Sequence, residues 1–200
     1  MPFIETVPKD EAPPQLAELY EADRAKFGYV PNLTRAFSLR PGVYAAWREL
    51  IGAIQAGMEL RRYELATVAA ARSLRSSYCM LAHGSVLTSR FLEAEELRAI
   101  VADHRSSGLD EVDVAVMDLA EKVAADATSV TQADIDRLRE LGLTDPEILD
   151  VVLAAAARCF FSKVLDGVGA LPDAEYEDKL EPELREALTV GRPIANRVTS

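Results

Sequence analysis

The residues best suited to chemistry lie on one short stretch, where a cysteine and a histidine stand four positions apart. If this stretch is helical, Cys79 and His83 share a face, because side chains at i and i+4 are neighbours on a helix. Cys79 falls in the first turn of that predicted helix, where the helix dipole and free backbone N–H groups favour a thiolate. A nearby imidazole lowers the pKa of a thiol or shuttles its proton. The pair therefore predicts an activated cysteine nucleophile.

A carboxylate earlier in the sequence interrupts an otherwise apolar or small helix face. The other members of that face, spaced by three or four residues, are Leu60, Thr67, Ala71 and Leu74. Glu64 on this face is costly to bury unless it is paired, hydrogen-bonded or protonated. If its helix packs antiparallel to the next one, Glu64 faces His83 or Cys79. The three side chains would then form one pocket with the composition of an activated-nucleophile site.

Each of these residues also has a plain structural interpretation. A lone cysteine in an Ala-rich helix is usually a small core residue. A lone histidine is commonly a satisfied core or surface residue, and a glutamate can turn aside to an arginine at the helix edge. Tyr78, next to Cys79, either lines the pocket or simply packs. The other cysteine and histidine are expected to be structural, with Cys159 buried and His104 solvated near a helix end.

The elements that must position these residues are helices. Alanine is abundant, and no segment alternates apolar and polar residues for long enough to suggest a strand. The pattern predicts helices over 13–28, 32–37, 42–56, 60–74, 76 onward, 94–104, 111–127, 132–141, 146–168 and, more briefly, 183–188. The fold class is therefore all-α, and the helices over 60–74 and from 76 onward form a central antiparallel pair. Residues 1–172 are predicted to form one domain, and residues 173–200 an acidic, peripheral C-terminal tail.

The candidate residues form a pattern of Glu64, eleven residues, Ser76-x-x-Cys79, three residues and His83. This pattern resembles that of the AhpD-like, or carboxymuconolactone decarboxylase, family, in which a Cys-x-x-Cys pair stands at the same spacing. The flanks are similar to its peroxidase-related branch at Phe27-Gly28-Tyr29-Val30-Pro31-Asn32, Arg40-Pro41-Gly42, Arg72-Ser73-Leu74, His83-Gly84 and Cys159-Phe160-Phe161-Ser162. The resemblance covers most of the chain and is weak outside residues 27–90.

The resemblance implies an AhpD-like helical bundle that assembles as a homo-oligomer, a trimer or a hexamer. In the family's redox members the second Cys reacts with peroxide, the first resolves it as a disulfide, and Glu and His relay the proton. Carried over, Cys79 is the reacting thiol, Glu64 and His83 are the relay, and Ser76 occupies the resolving position. Because a serine hydroxyl cannot form a disulfide, recovery of Cys79 needs an external thiol, or Cys159 brought close. Ser76 is instead expected to cap the helix and hydrogen-bond the Cys79 thiolate.

Composition argues against several classes of function. Among the 200 residues, 22 Lys+Arg stand against 33 Asp+Glu, and this net charge of -11 makes nucleic-acid binding improbable. Two Cys and two His supply neither a disulfide framework nor a zinc-finger ligand set, and no Gly-rich loop resembles a nucleotide site, so no cofactor or metal is expected. The N-terminus lacks the pattern of a signal peptide, and no apolar run is long enough to span a membrane. We expect a cytoplasmic protein with reduced thiols.

Three functions remain open on the sequence. The first is a peroxidase-related oxidoreductase that uses Cys79 and an external thiol reductant. The second is a decarboxylase-like acid–base enzyme on a small organic acid, in which Glu64 and His83 act without the thiol. The third is a non-catalytic helical oligomer, for which Glu64 and His83 would be mutually distant and solvent-exposed.

Overall fold

A computed structural model describes residues 2–197, and within this range the chain forms helices and no strand. The helices are α1 (Pro14–Phe27), α2 (Asn32–Ala36), α3 (Pro41–Ala56), α4 (Leu60–Ser73), α5 (Ser77–Arg90), α6 (Ala94–Asp103), α7 (Glu111–Asp126), α8 (Gln132–Glu140), α9 (Asp145–Gly167), α10 (Tyr176–Lys179) and α11 (Pro182–Leu188). The predicted all-α fold is confirmed. None of these helices combines the length and the apolar composition needed to cross a membrane.

Local signals in the sequence set several helix ends. Gly28 ends α1 with φ of 85°, a left-handed conformation that glycine adopts without steric cost. Reciprocal capping boxes join Thr131 to Asp134 at the start of α8 and Thr144 to Glu147 at the start of α9. In each box the N-cap hydroxyl and the third-residue carboxylate satisfy backbone N–H groups that the first helical turn leaves free.

Helix α4 is the central element of the bundle. It packs against α5, α7 and α9, and its side chains are buried continuously from Tyr63 to Ala71. The small alanine side chains of this segment let three helices approach on different sides. Its arginines leave the core at the two ends, where Arg61 pairs with Asp113 of α7. The inward face predicted from spacing alone is therefore too narrow, because α4 is enclosed on nearly all sides.

A tight turn reverses the chain between α4 and α5. Arg75 in this turn has φ of 54°, which lies in the left-handed region. Glu64, in the first half of α4, contacts His83, in the middle of α5, and with the tight turn between them the two helices run antiparallel. Helix α9 packs across both of them. The central pair and α9 thus supply the side chains of the candidate site.

Helix α3 buries only some of its apolar residues. The buried residues of α3 are Tyr44 and Ile54, whereas Val43 and Leu50 are exposed. This difference arises because α3 packs on α9 through its aromatic side, where the Trp47 and Phe161 rings stack with centroids 3.9 Å apart. One apolar edge of α3 is therefore left open to solvent.

The prediction of a peripheral tail is also wrong, for residues 173–188. Its apolar side chains recur every four positions and are buried in the main core: Tyr176, Leu180, Leu184 and Leu188. Helix α11, which holds the last two, packs against α5 and α6. The acidic, proline-punctuated composition concealed this apolar face. The last three residues of the predicted tail, 198–200, lie outside the described residues.

Candidate active site

The carboxylate and imidazole named from the sequence meet between α4 and α5. His83 Nδ1 lies 2.5 Å from Glu64 Oε2, and the Glu64 side chain is 4% exposed while that of His83 is 16% exposed. The carboxylate accepts the Nδ1 proton, which leaves Nε2 as the nitrogen available to another molecule. Glu64 and His83 are thus neither distant nor solvent-exposed.

The surroundings of His83 favour its neutral form. Burial lowers the pKa of His83 below its usual 6.5, and the positive charge of Arg158 lowers it further, while Glu64 acts in the opposite direction. A neutral imidazole that is oriented by a carboxylate can accept a proton at Nε2 and return it. This pair can therefore do acid–base chemistry near neutral pH.

The thiol of Cys79 is buried, and its polar contacts come from α9. Ser162 Oγ donates to Cys79 Sγ at 3.2 Å, and Arg158 Nη1 donates to the same sulfur at 3.4 Å. Within residues 2–197 no hydrogen bond joins the sulfur to His83 or Glu64. The sulfur and the acid–base pair are therefore neighbouring groups, one helical turn apart on α5, rather than a hydrogen-bonded chain.

The expected role of Ser76 is wrong. Ser76 precedes α5, but its side chain makes no capping bond, and its buried Oγ has no hydrogen-bond partner among the described residues. The hydroxyl that reaches Cys79 belongs to Ser162 of α9 instead. The hydroxyl that bonds the sulfur therefore comes from α9 and not from the residue before α5.

The Tyr78 side chain is buried, and its hydroxyl bonds to residues other than Cys79. Its buried hydroxyl donates to Asp173 and accepts the Leu33 backbone N–H at 3.0 Å. Asp173 in turn accepts the Asn32 backbone N–H at 2.7 Å. Tyr78 therefore fastens the start of α2 and the segment after α9 to α5.

Cys159 is not placed to resolve an oxidised Cys79. On α9, Arg158 and Ser162 point at the Cys79 sulfur, and Cys159 lies about 100° further around the helix from Arg158. Cys159 is half-buried and packs at the margin of the core, and burial raises the pKa of its thiol. The α9 side chains that contact the Cys79 sulfur are therefore Arg158 and Ser162, and both cysteines are free.

The other histidine belongs to a salt-bridge cluster, which is the group among residues 2–197 with the spacing of a metal site. His104, Asp118 and Glu121 offer ligand atoms close to one another. However, Arg72 donates to His104 Nδ1 and to Glu121, and Arg105 pairs with Asp118. Arginine at Nδ1 leaves the proton on Nε2, where a metal would need a lone pair. His104 is structural as predicted, but it is fully buried rather than solvated.

Arg158 is the site residue that sequence reasoning missed. It is 2% exposed, its Nη2 donates to Tyr63 Oη at 3.5 Å, and its Nε has no partner among the described residues. The Trp47 and Phe161 rings lie 5.9 and 5.7 Å from its Cζ. A signal was available, since Arg158 is the single charged residue in the apolar run from Val151 to Phe161. A lone arginine in such a run indicates a buried cation, and buried arginines are rare unless they are paired.

Comparison by sequence and by structure gives different results. No protein-family model matches the chain, and no curated protein matches it. Among solved structures, the AhpD core of an uncharacterized peroxidase-related protein from Ralstonia eutropha JMP134 superimposes with a TM-score of 0.80, at 22% identity over 88% of this chain and 94% of that chain. A peroxidase-related protein from Silicibacter sp. TM1040 gives 0.75, at 23% identity over 85% and 91%. The chain therefore has the AhpD-like all-helical fold that the sequence resemblance implied.

A third solved structure with this fold is a debrominase. It is Bmp8, in a cysteine-to-alanine variant bound to 2,3,4-tribromopyrrole, with a TM-score of 0.70 and 14% identity over 92% of this chain and 94% of that chain. The fold is thus found in proteins described as peroxidase-related and in one described as a debrominase.

Proposed function

We propose that this protein is a peroxidase-related oxidoreductase that reduces hydroperoxides through Cys79. The observation that carries the proposal is the buried Glu64–His83 pair, 2.5 Å apart and one helical turn from the Cys79 sulfur. A carboxylate-oriented imidazole beside a thiol is the arrangement that activated cysteine nucleophiles use. His83 is the more exposed member of the pair and is the one that meets an incoming substrate.

The proposed first step forms one bond and breaks another. The Cys79 thiolate attacks the outer oxygen of the hydroperoxide, the S–O bond forms, and the O–O bond breaks. The sulfur is oxidised to sulfenic acid, and the peroxide is reduced to an alkoxide that takes one proton to become the alcohol. In the resting neutral imidazole Nε2 carries no proton, so it takes one from solvent and passes it to the alkoxide, while Glu64 holds the ring by its Nδ1–H.

An external thiol completes the cycle, because neither Ser76 nor Cys159 is suited to resolve the sulfenic acid. The first thiol displaces water and leaves a mixed disulfide at Cys79. A second thiol releases the Cys79 thiolate and leaves as the oxidised disulfide of the reductant. The reducing electrons therefore come entirely from the external thiol.

The test is hydroperoxide consumption in the presence of dithiothreitol. We expect turnover by the wild-type protein and by Cys159→Ser, and loss of turnover in Cys79→Ser. Equal turnover by Cys79→Ser would overturn the proposal. The same proteins are assayed with a brominated pyrrole, because one protein of this fold is a debrominase.

A second candidate is a carboxymuconolactone-decarboxylase-like acid–base reaction on a small organic acid. It is favoured by one observation: the Glu64–His83 pair has no hydrogen bond to the sulfur within the described residues, so it can act alone. In that case activity toward the acid survives Cys79→Ser and fails in His83→Gln.

The proposed setting is an antioxidant role in the cytoplasm. Both cysteines are free, which suits a compartment that keeps thiols reduced. A homo-oligomer, trimer or hexamer, is supported by an exposed apolar edge formed by Leu39, Val43, Leu50 and Phe160. Such edges are typical of surfaces where copies of a chain meet.

A further inference from the structure

The guanidinium of Arg158 is buried without a carboxylate partner. The side chain is 2% exposed, and its hydrogen bonds within residues 2–197 go to Cys79 Sγ and Tyr63 Oη. None of the salt bridges among these residues includes it. An isolated charge in a protein interior is costly, so a buried arginine requires a nearby negative group.

Of the two atoms that the guanidinium contacts, the Tyr63 oxygen does not carry that charge at neutral pH. Burial raises the pKa of Tyr63 above its usual 10.0, so the phenol stays neutral. Burial alone would lower the pKa of Arg158, but the neighbouring Cys79 sulfur and Tyr63 oxygen raise it above its usual value, so the guanidinium stays charged. The faces of Trp47 and Phe161 offer a weaker, partial compensation.

The other titratable groups near the sulfur make no hydrogen bond or salt bridge with Arg158 within residues 2–197. From α4 the carboxylate of Glu64 accepts the His83 Nδ1–H and keeps its charge, because burial holds the imidazole neutral. From α10 burial raises the pKa of the Tyr176 phenol, so it is neutral. Besides the neutral Tyr63 phenol, the Cys79 thiol is thus the acidic group in direct contact with Arg158.

We propose that Arg158 is a catalytic residue whose buried positive charge holds Cys79 as the thiolate, with Ser162 as a neutral second donor to the same sulfur. This inference rests on the proposed function only in taking Cys79 as the reacting sulfur. It assigns activation of the thiol to α9, whereas the sequence alone pointed to the helix dipole and His83. The Glu64–His83 pair is then free to serve the oxygen that leaves.

The test is the ultraviolet absorbance of the thiolate as a function of pH, in a Cys159→Ser parent that has one thiol. We expect the parent to be a thiolate at pH 7. Arg158→Gln keeps a hydrogen-bond donor and removes the charge. The midpoint of the Cys79 titration should therefore rise by about one to three pH units, the effect of one adjacent opposite charge. Arg158→Lys keeps the charge and should stay closer to the parent. Ser162→Ala, which removes a neutral donor, is the matched control and should move the midpoint less than Arg158→Gln.

The inference is overturned if the parent has no thiolate at pH 7, or if Arg158→Gln moves the midpoint no more than Ser162→Ala. Circular dichroism verifies that each variant folds. If Arg158→Gln does not fold, the test rests on the parent and on Arg158→Lys. The inference requires Cys79 to be a thiolate at pH 7 in both proteins. Hydroperoxide consumption by the parent separates the two proposals. A thiolate parent that consumes no hydroperoxide refutes the function and leaves the Arg158 inference standing, whereas an active parent with an unmoved Arg158→Gln midpoint refutes only the inference.

Discussion

His83 Nδ1 donates to Glu64 Oε2 across 2.5 Å, and this single bond ties the middle of α5 to the first half of α4. The bond fixes the tautomer of the imidazole and leaves Nε2 free toward the more open side of the pair. It also explains why a carboxylate is tolerated on a helix that is otherwise buried among alanines. In the proposed function Glu64 orients the acid–base imidazole, which accounts for a carboxylate at this position of α4.

Glu64→Gln should lower kcat for hydroperoxide reduction by about 100-fold or more, because positioned acid–base groups contribute on that scale. The amide oxygen still accepts the Nδ1 proton, so the fold and KM should change little. Steady-state kinetics measure both constants. Glu49→Gln on the exposed face of α3 is the control, and equal activity of the two variants would remove Glu64 from the mechanism.

The stability of the protein should depend on pH through His83. Because the folded-state pKa is lowered, mainly by burial, the unfolded chain binds a proton more readily as the pH falls through about 6.5. The free energy of unfolding should therefore decrease from neutral pH through that range, and His83→Gln should decrease less. Urea unfolding on either side of pH 6.5 measures the difference. Since His104 is present in both proteins, parallel pH dependences would contradict this assignment.

Gly191→Ala should destabilise the fold by about 1–3 kcal/mol, a typical cost of forcing atoms into a packed region. A Cβ at Gly191 would lie 2.0 Å from the Arg75 carbonyl oxygen, where the C-terminal segment crosses the turn before α5. The Gly191 N–H also donates to Ser77 Oγ at 2.7 Å. Thermal or urea unfolding measures the cost. Gly52→Ala on α3, whose Cβ would meet nothing within 4 Å, should instead be neutral or stabilising. A similar loss of stability in both variants would contradict the close contact between Gly191 and the turn before α5.

His104→Ala should destabilise the protein while the folded fraction keeps its hydroperoxide reduction. The substitution leaves the Arg72 guanidinium and the Asp118 carboxylate without their shared partner, at a cost of about 1–3 kcal/mol. Urea unfolding and activity per folded molecule are the two measurements. A folded His104→Ala protein without activity would mean that the histidines have been assigned to the wrong roles.

The sequence was sufficient to predict the helices and to place Glu64 opposite His83 or Cys79, and the structure pairs it with His83. Helical periodicity and caps are local, and the antiparallel pairing of successive helices follows from a short turn. The sequence could not predict the contact between α9 and the Cys79 sulfur. Arg158 and Cys79 are 79 residues apart, and no local pattern links them.

Two features of the structure show that burial depends on which helices pack together, and the second is the reason that the tail prediction is wrong. Val43 and Leu50 are apolar at helical spacing and yet exposed, because α3 uses its aromatic side against α9. Residues 173–188 are acidic overall and yet contribute Leu184 and Leu188 to the core, because α11 covers α5 and α6. Composition describes a whole segment, whereas packing uses one face of it.

The most direct test of the account is to locate the oxidised sulfur after one equivalent of hydroperoxide, without reductant. A sulfenic acid trapped with a dimedone-type reagent is assigned by peptide mass spectrometry, in the wild type and in Cys159→Ser. The account predicts an adduct on Cys79 in both proteins and none on Cys159. An adduct on Cys159, or consumption of the hydroperoxide with Cys79 unmodified, would contradict it.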